Sequence, residues 1–154
     1  MTHLKPGDKA PDFTSKDQNG NPIKLSDYLG QKVVLYFYPK DLTPGCTTQS
    51  CNFRDNYSLL KEKGFEVIGV SADDEKRHQK FIEKHELPFT LLADTEKEVI
   101  NTYGVWGLKK FMGREYDGIH RECFVIDEKG AIEHIIYKVK TKLATEQILE
   151  LYSE

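Results

Sequence analysis

The sequence predicts an α/β fold of one domain, residues 1–154, in which helices flank a mixed central sheet. Two apolar runs, at residues 33–38 and 65–70, have the unbroken hydrophobic character of strands that are covered on both faces. A segment with helical spacing follows each run, as expected for alternating strands and helices. A turn signal at residues 127–130 then joins two shorter apolar runs into an antiparallel hairpin, which makes the sheet mixed.

The elements near the N-terminus are predicted from turn and cap signals. The turn signal at residues 19–21 lies between two short extended segments and predicts a β-hairpin over residues 11–25. Ser26 and Asp27 cap a short helical turn that ends at Gly30. The strand at residues 33–38 follows directly.

The other elements are placed by hydrophobic spacing and by stop signals. Apolar residues recur every three or four positions from about Thr47 to Lys63, and Gly64 ends this helix. Asp73 and Asp74 cap the next helix after the strand at 65–70. The remaining elements are this helix to about residue 86, an extended segment at 89–92, a short helix at 95–103, a loop at 104–118, strands at 123–126 and 132–137, and an amphipathic helix at 145–152.

The overall composition argues against several classes of partner. The formal net charge is −3 and the pI is near 6.0, so neither a nucleic acid nor an anionic membrane is expected. The basic and aromatic segment at residues 104–118 is therefore interpreted as a mobile loop and not as a nucleic-acid platform. No apolar run approaches the roughly 20 residues of a membrane span. The N-terminus starts at Met and lacks the apolar region of a secretory signal, and we expect a cytoplasmic protein.

Cys46 is the most informative residue of the chain. It lies where an apolar strand gives way to a helix, and the N–H groups of a helix N-terminus favour a thiolate. A second thiol, Cys51, follows, and the odd total of 3 cysteines argues against the disulfide framework of a secreted protein. A metal site is the weaker alternative, because Cys-x4-Cys departs from zinc-ligand spacing and the histidines form no paired motif. We expect redox chemistry with no metal or cofactor.

The spacing of the two thiols has a geometric consequence. If Cys46 and Cys51 share one helix, their Cα atoms are roughly 8 to 9 Å apart and their side chains lie on different faces. A disulfide needs a Cα separation below about 7 Å. A disulfide between them therefore requires the first turns of the helix to unwind.

Several segments of the chain together resemble the peroxiredoxins. The residues from Pro39 to Cys46 read Pro-x3-Thr-x2-Cys, which resembles the peroxiredoxin active-site motif. Residues 118–127 resemble the later block that carries the active-site arginine of this family. The Cys-x4-Cys spacing, the opening at residues 7–13 and the segment at 104–119 are similar to the bacterioferritin comigratory protein, or peroxiredoxin Q, subfamily.

The resemblance implies a thioredoxin-like fold and a role for each matching residue. Cys46 would be the peroxidatic thiolate and Cys51 the resolving thiol. Thr43 would hydrogen-bond the thiolate and the peroxide, Arg121 would stabilise the thiolate and the transition state, and Pro39 would shield the site. The implied reaction reduces hydrogen peroxide and alkyl hydroperoxides through a sulfenic acid and a Cys46–Cys51 disulfide, which thioredoxin then reduces. The subfamily implies a monomer.

Two alternative functions are compatible with parts of this pattern, and two further residues, a cation and a cysteine, are considered for the site. A thiol–disulfide oxidoreductase would share the fold but usually carries Cys-x2-Cys, which is absent here. A redox-switched holdase-type binding protein would use the same unwinding, although the chain shows no partner motif. Arg54 is a second candidate cation for the site, and Cys123 is interpreted as a buried residue without a catalytic role.

Overall fold

The computed structural model describes residues 2–153. The order of elements along the chain is β1 (Thr14–Lys16), β2 (Pro22–Lys24), β3 (Lys32–Phe37), α1 (Pro44–Asp55), α2 (Tyr57–Glu62), β4 (Phe65–Ser71), α3 (Glu75–His85), β5 (Thr90–Ala93), α4 (Glu98–Thr102), β6 (Trp106–Phe111), β7 (Arg114–Ile119), β8 (Cys123–Ile126), β9 (Ile132–Ile136) and α5 (Ala144–Glu150), with 3₁₀ turns at Leu25–Tyr28 and Thr141–Leu143.

The central sheet has the strand order β5-β4-β3-β8-β9. Strand β3 pairs in parallel with β4, and β4 with β5, whereas β8 runs antiparallel to both β3 and β9. The predicted mixed sheet is therefore confirmed, and β1 and β2 pair as the predicted N-terminal hairpin. Because β3 is the middle strand, the loop that follows it lies near the centre of one end of the sheet, where β3 ends.

Strand β3 is buried on both faces, as its unbroken apolar sequence predicts. Leu35 and Phe37 belong to one core cluster, which includes the apolar side chains of α4. Tyr36 and the following residue Tyr38 belong to the other, which contains Cys46 together with apolar side chains of α1, α3 and α5. The alternation of side chains along β3 thus places the cysteine-bearing helix against one face of the sheet.

The expectation of one helix over residues 47–63 is wrong at its start and in its middle. Helix α1 begins at Pro44, a residue whose fixed φ and missing N–H suit the first helical position. The helix is interrupted at Asn56, whose side-chain Nδ2 donates to the backbone carbonyl of the residue one turn earlier, at 2.8 Å. Cys46 and Cys51 therefore both lie inside α1.

The expectation of a loop over residues 104–118 is also wrong. Strands β6 and β7 form an antiparallel hairpin, in which Trp106 pairs with Ile119. Met112 and Gly113 have φ values of 50° and 78°, the left-handed pair that a type I′ turn needs. Most side chains on this hairpin are exposed on both faces, so the sequence lacks the alternation of apolar and polar residues by which strands are recognised.

The ends of two other helices show how local signals act. The cap at Asp74 is confirmed, because its side chain accepts a hydrogen bond from the backbone N–H of Arg77 at 2.9 Å. The helix expected at residues 95–103 is shorter, since Lys97 has a φ of 59° and α4 begins after it. Among residues 2–153, no helix is long and apolar enough to cross a bilayer.

Candidate active site

Cys46 lies in the first turn of α1, close to the end of the central strand β3. Its side chain is buried, and Thr43, the N-cap residue, makes no side-chain cap hydrogen bond. Pro44 has no N–H, so the N–H groups of Gly45 and Cys46 are the first-turn donors without an acceptor inside the helix. Together with the helix dipole, these donors favour negative charge at the sulfur.

Arg121 reaches Cys46 because of the strand pairing. It lies two residues before the start of β8. Because β8 runs antiparallel to β3, the start of β8 meets the end of β3 at the end of the sheet from which α1 departs. Arg121 Nη2 donates a hydrogen bond to Cys46 Sγ at 3.2 Å. The structure therefore brings together two residues that are 75 positions apart in the sequence.

Gln49 belongs to the same cluster, although the sequence analysis did not single it out. It is fully buried, and its Oε1 accepts a hydrogen bond from Arg121 Nη1 at 2.7 Å. This bond fixes the guanidinium so that its other amino group faces the sulfur of Cys46. The spacing of three residues on one helix places Gln49 on the same face as Cys46, and this spacing is the signal that points to it.

Pro39 and Thr43 both lie on the loop that connects β3 to α1. Thr43 Oγ1 donates a hydrogen bond to the backbone carbonyl of Lys40 at 2.7 Å. Pro39 is half-buried and lines an open cavity together with Trp106 and Lys109 of the β6–β7 hairpin. Both residues precede Cys46 on this loop, and the roles expected for them toward the thiolate and the peroxide stay predictions.

The β6–β7 hairpin adds a cation that sequence reasoning missed as a site residue. Lys109 Nζ donates to the backbone carbonyl of Ile119 at 3.0 Å, close to Arg121 in the chain. Burial and then the Arg121 charge lower the pKa of Lys109, whereas the charge of Cys46 acts in the opposite direction. No sequence signal identifies Lys109, because its position depends on a hairpin that the sequence does not predict.

Cys51 lies on the same helix as Cys46, so the geometry of α1 fixes the distance between them. Both thiols are free, and Cys51 is half-buried. Because the two residues share an intact helix, the estimate of roughly 8 to 9 Å between their Cα atoms applies.

Arg54, the second candidate cation, donates to the backbone carbonyl of His85 at 2.9 Å and pairs with Asp55 at 2.9 Å. Its guanidinium is thus engaged with the C-terminal end of α3.

Cys123 lies in the interior, at the start of β8 opposite Tyr36 of β3. Its side chain is buried, and this burial raises the pKa of the thiol to about 12. A thiol with this pKa is protonated at neutral pH and is a poor nucleophile. The burial that the sequence predicts for Cys123 is confirmed.

Within residues 2–153, one group of three side chains brings potential metal ligands close together. The ligand atoms of Asp41, Asp73 and His78 lie within 4.8 Å of one another. These side chains are, however, engaged with one another or with neighbouring protein groups in hydrogen bonds. We therefore assign this group to the hydrogen bonding of the fold and not to a metal.

A comparison with protein families identifies the chain. A family model described as the AhpC/TSA family matches residues 6–135. The chain belongs to the AhpC/TSA family. This AhpC/TSA protein is 47% identical to Peroxiredoxin Bcp of Escherichia coli (strain K12) over 154 residues, covering 100% of the chain and 99% of the relative. It is 51% identical to Peroxiredoxin Bcp of Bacillus subtilis (strain 168) over 136 residues, covering 88% and 87%.

Solved structures agree with this family. A mutant of Xylella fastidiosa PrxQ superposes with a TM-score of 0.91 at 29% identity, covering 99% of this chain and 97% of that one. Peroxidoxin BcpB from Mycobacterium tuberculosis gives a TM-score of 0.85 at 33% identity, covering 96% of both chains. The AhpC/TSA protein therefore has the thioredoxin-like peroxiredoxin fold and is a thiol-dependent peroxidase. This finding favours the peroxidase hypothesis over a thiol–disulfide oxidoreductase and over a redox-switched holdase-type binding protein.

Proposed function

We propose that Cys46 is the peroxidatic cysteine of this peroxidase and that Cys51 is its resolving cysteine. The observation that carries the proposal is the hydrogen bond of 3.2 Å from Arg121 Nη2 to Cys46 Sγ at the N-terminus of α1. A guanidinium and a helix N-terminus both favour the thiolate, which is the nucleophilic form of cysteine.

In the first step, the thiolate attacks the terminal oxygen of the peroxide. An S–O bond forms, the O–O bond breaks, and the leaving oxygen keeps the electron pair and takes up a proton to become water or an alcohol. Arg121 stabilises the charge as it moves from sulfur to the leaving oxygen. Thr43 Oγ1 donates its proton to the backbone carbonyl of Lys40, so its lone pairs are left to accept a hydrogen bond from the peroxide. Pro39 shields the sulfenic acid that results.

In the second step, Cys51 resolves the sulfenic acid. Its sulfur attacks Cys46 Sγ, an S–S bond forms, the S–O bond breaks, and the oxygen leaves as water after protonation. Because both residues lie on α1, this step follows the unwinding of the first turns of the helix. The enzyme thus alternates between a folded reduced form and a locally unwound oxidised form.

The substrates and the reductant are further parts of the proposal. We propose hydrogen peroxide and alkyl hydroperoxides as substrates. A solved structure of a relative, Xanthomonas campestris Bacterioferritin Comigratory Protein, concerns the alkyl peroxide reduction activity of that protein, which supports this choice. We propose thioredoxin as the dithiol that reduces the disulfide. We also propose that the enzyme is cytoplasmic, since an odd number of cysteines argues against the disulfide framework of a secreted protein, and that it acts as a monomer.

Rapid mixing tests the roles of the cysteines. Reduced protein is mixed with one equivalent of hydrogen peroxide, quenched with an alkylating agent at increasing times, and mapped by peptide mass spectrometry. We expect the Cys46 thiol to disappear first and a Cys46–Cys51 disulfide to accumulate while Cys123 stays reduced. A Cys46 thiol that reacts no faster than free cysteine would contradict the proposal.

Two variants separate the two roles. Cys46→Ser removes the nucleophile and is expected to abolish peroxide reduction. Cys51→Ser is expected to consume one equivalent of peroxide but to lose recycling by thioredoxin, because the sulfenic acid has no internal thiol to attack it. Full thioredoxin-linked turnover by Cys51→Ser would show that another group resolves the intermediate.

A further inference from the structure

The loop between β3 and α1, residues 38–43, is anchored in the interior by one side chain. Asp41 is fully buried, although it lies between the exposed Lys40 and the half-buried Leu42. One carboxylate oxygen accepts from Tyr38 Oη at 2.5 Å, and the other faces His78 Nδ1 at 2.5 Å. A buried carboxylate with a donor at each oxygen is a fixed point of the loop.

The backbone of Asp41 is held as well. Its N–H donates to the carboxylate of Asp73 at 2.8 Å, and its carbonyl accepts from Arg77 Nη2 at 3.2 Å. Asp73 lies between β4 and α3, and Arg77 lies on α3, so two residues from outside the loop hold the backbone of Asp41. The position of the loop therefore depends on contacts that come from outside it.

His78 carries the proton that completes this anchor. It is fully buried on α3, and its Nε2 faces the backbone carbonyl of Leu92 at 2.8 Å. A carbonyl only accepts, so Nε2 bears a proton, and the contact of Nδ1 with the Asp41 carboxylate needs a second one. The pair thus holds one proton more than a neutral imidazole beside a carboxylate, and the two groups share it.

The charges around His78 favour this extra proton. Burial acts to lower its pKa, but the hydrogen bond and charge of Asp41, the Leu92 carbonyl and the charge of Asp73 together raise the pKa above the ordinary 6.5. The cation that faces the group is Arg77, which is itself bound to Asp73 at 3.3 Å. These contacts therefore favour the protonated form of His78 more than in an ordinary imidazole.

The residue after the anchor is in a strained conformation. Leu42 has a φ of 64°, a left-handed backbone that a residue with a Cβ rarely adopts. Such strain persists only when the surroundings impose it. Because Asp41 precedes Leu42 directly, release of Asp41 removes the constraint and lets the loop relax.

We propose that Asp41 and His78 are positioning residues that hold the β3–α1 loop, and with it the start of α1, in the folded form that reacts with peroxide. The proposal rests on the peroxidatic role of Cys46, which lies in the first turn of α1. Breaking the pair favours the unwound form, in which Cys46 meets Cys51. The two residues thus set the balance between the peroxide step and the disulfide step.

The pair also gives this balance a pH dependence. The pKa of His78 is higher in the folded loop than in an unwound one, where it returns toward its ordinary value of 6.5. The stabilisation of the folded loop is therefore complete below that ordinary value and is lost as the pH rises through the raised pKa. Alkaline conditions favour unwinding.

Hydrogen exchange of the reduced protein tests the anchor without any peroxide. In His78→Gln, one amide cannot reproduce both ring contacts, and we expect the protection of residues 40–47 to fall by about tenfold at neutral pH. The matched control is His85→Gln, at the other end of the same helix, which should leave this protection unchanged. Protection that stays at the wild-type value in His78→Gln would overturn the proposal.

Asp41→Asn tests the role of the proton with a variant that keeps the shape. The new amide accepts from Tyr38 and donates to Nδ1 of a neutral His78, so the loop stays held and needs no extra proton. We expect its protection factors to be independent of pH over the alkaline range in which those of the wild type fall. The same fall in Asp41→Asn would overturn the proposal.

Stopped-flow kinetics then connects the anchor to the reaction. In His78→Gln, we expect the peroxide step to slow and the disulfide step to accelerate, each by about threefold or more, so that their ratio shifts by about tenfold. A variant that slows both steps equally has only lost stability, and this result would overturn the proposal. If the wild type itself fails to react at Cys46, the proposed function fails, while the exchange experiment still decides whether the anchor exists.

Discussion

At the scale of single residues, the proposed chemistry depends most on the contact between Arg121 and Cys46. The guanidinium uses one amino group on Gln49 and the other on the sulfur, at 2.7 and 3.2 Å. A planar fork satisfies two partners at once, whereas the ammonium of a lysine is a single point charge on a flexible stem. The charge and its geometry are therefore separable by substitution.

Arg121→Lys keeps the positive charge but loses the fork. We expect the second-order rate constant of the peroxide step to fall by about 10²-fold, the usual effect of removing one aligned donor from a transition state. Stopped-flow measurement of the first oxidation step checks this. The matched control is Arg114→Lys on the exposed hairpin strand β7, which should react at the wild-type rate. Equal rates for both variants would show that charge alone is sufficient.

At the scale of elements, helix α1 is held at the residue that follows Cys51. Asn52 Oδ1 accepts from the backbone N–H of Thr145 at 2.8 Å, and its Nδ2 donates to the carbonyl of Lys142 at 2.9 Å. Its side chain thus caps α5, whose own N-cap residue, Leu143, makes no side-chain cap. We predict that α1 stays folded beyond this contact when its first turns unwind.

Asn52→Ala removes this link between α1 and α5. We expect the free energy of unfolding to fall by about 1 kcal/mol, the usual cost of a lost N-cap. In the oxidised protein, we also expect faster hydrogen exchange to extend from the first turns of α1 into α5. Denaturant melts and exchange mass spectrometry measure the two effects.

The control for this variant is Asn101→Ala on the short helix α4, where the residue is exposed. Its free energy of unfolding is expected to stay within about 0.5 kcal/mol of the wild type, as for most surface substitutions. If oxidised Asn52→Ala exchanges only in the first turns of α1, the boundary of unwinding lies elsewhere.

At the scale of the whole molecule, we predict that the fold separates a reactive pair of thiols from an unreactive one. Cys46 and Cys51 lie on a helix that covers the sheet, whereas Cys123 lies on β8, a strand with a neighbour on each side. Burial raises the pKa of Cys123 to about 12 and removes it from solvent. Its side chain lies in the core cluster that also contains Cys46 and apolar side chains of α1, α3 and α5. We predict that unwinding of only the first turns of α1 leaves this cluster closed, so that Cys123 becomes accessible only when the whole fold opens.

Alkylation of the reduced native protein reads out this difference. We expect iodoacetamide to modify Cys51 readily and to modify Cys123 at the rate of global unfolding, which rises with denaturant. Peptide mapping at increasing urea concentration checks this. Modification of Cys123 as fast as that of Cys51 in the absence of urea would show that the sheet opens locally at β8.

Much of the fold follows from local patterns in the sequence. The apolar run of β3 predicts a strand buried on both faces, and Asp74 predicts the start of α3, because both signals act within a few residues. At the break of the helix, the side chain of Asn56 bonds to the backbone one turn earlier, a contact that periodicity does not show. The β6–β7 hairpin was missed because its two faces are both exposed, so burial leaves no alternating pattern there.

The sequence by itself determined the α/β class and the family, and it predicts a redox role for the Cys46–Cys51 pair, because these depend on residue type and spacing along the chain. Only the tertiary structure decided which side chains face one another. The pairing of β8 with β3 brings Arg121 to Cys46, and α3 packing brings His78 to Asp41 across 37 positions. Contacts of this kind depend on how strands pair and helices pack, and no short segment of sequence carries that information.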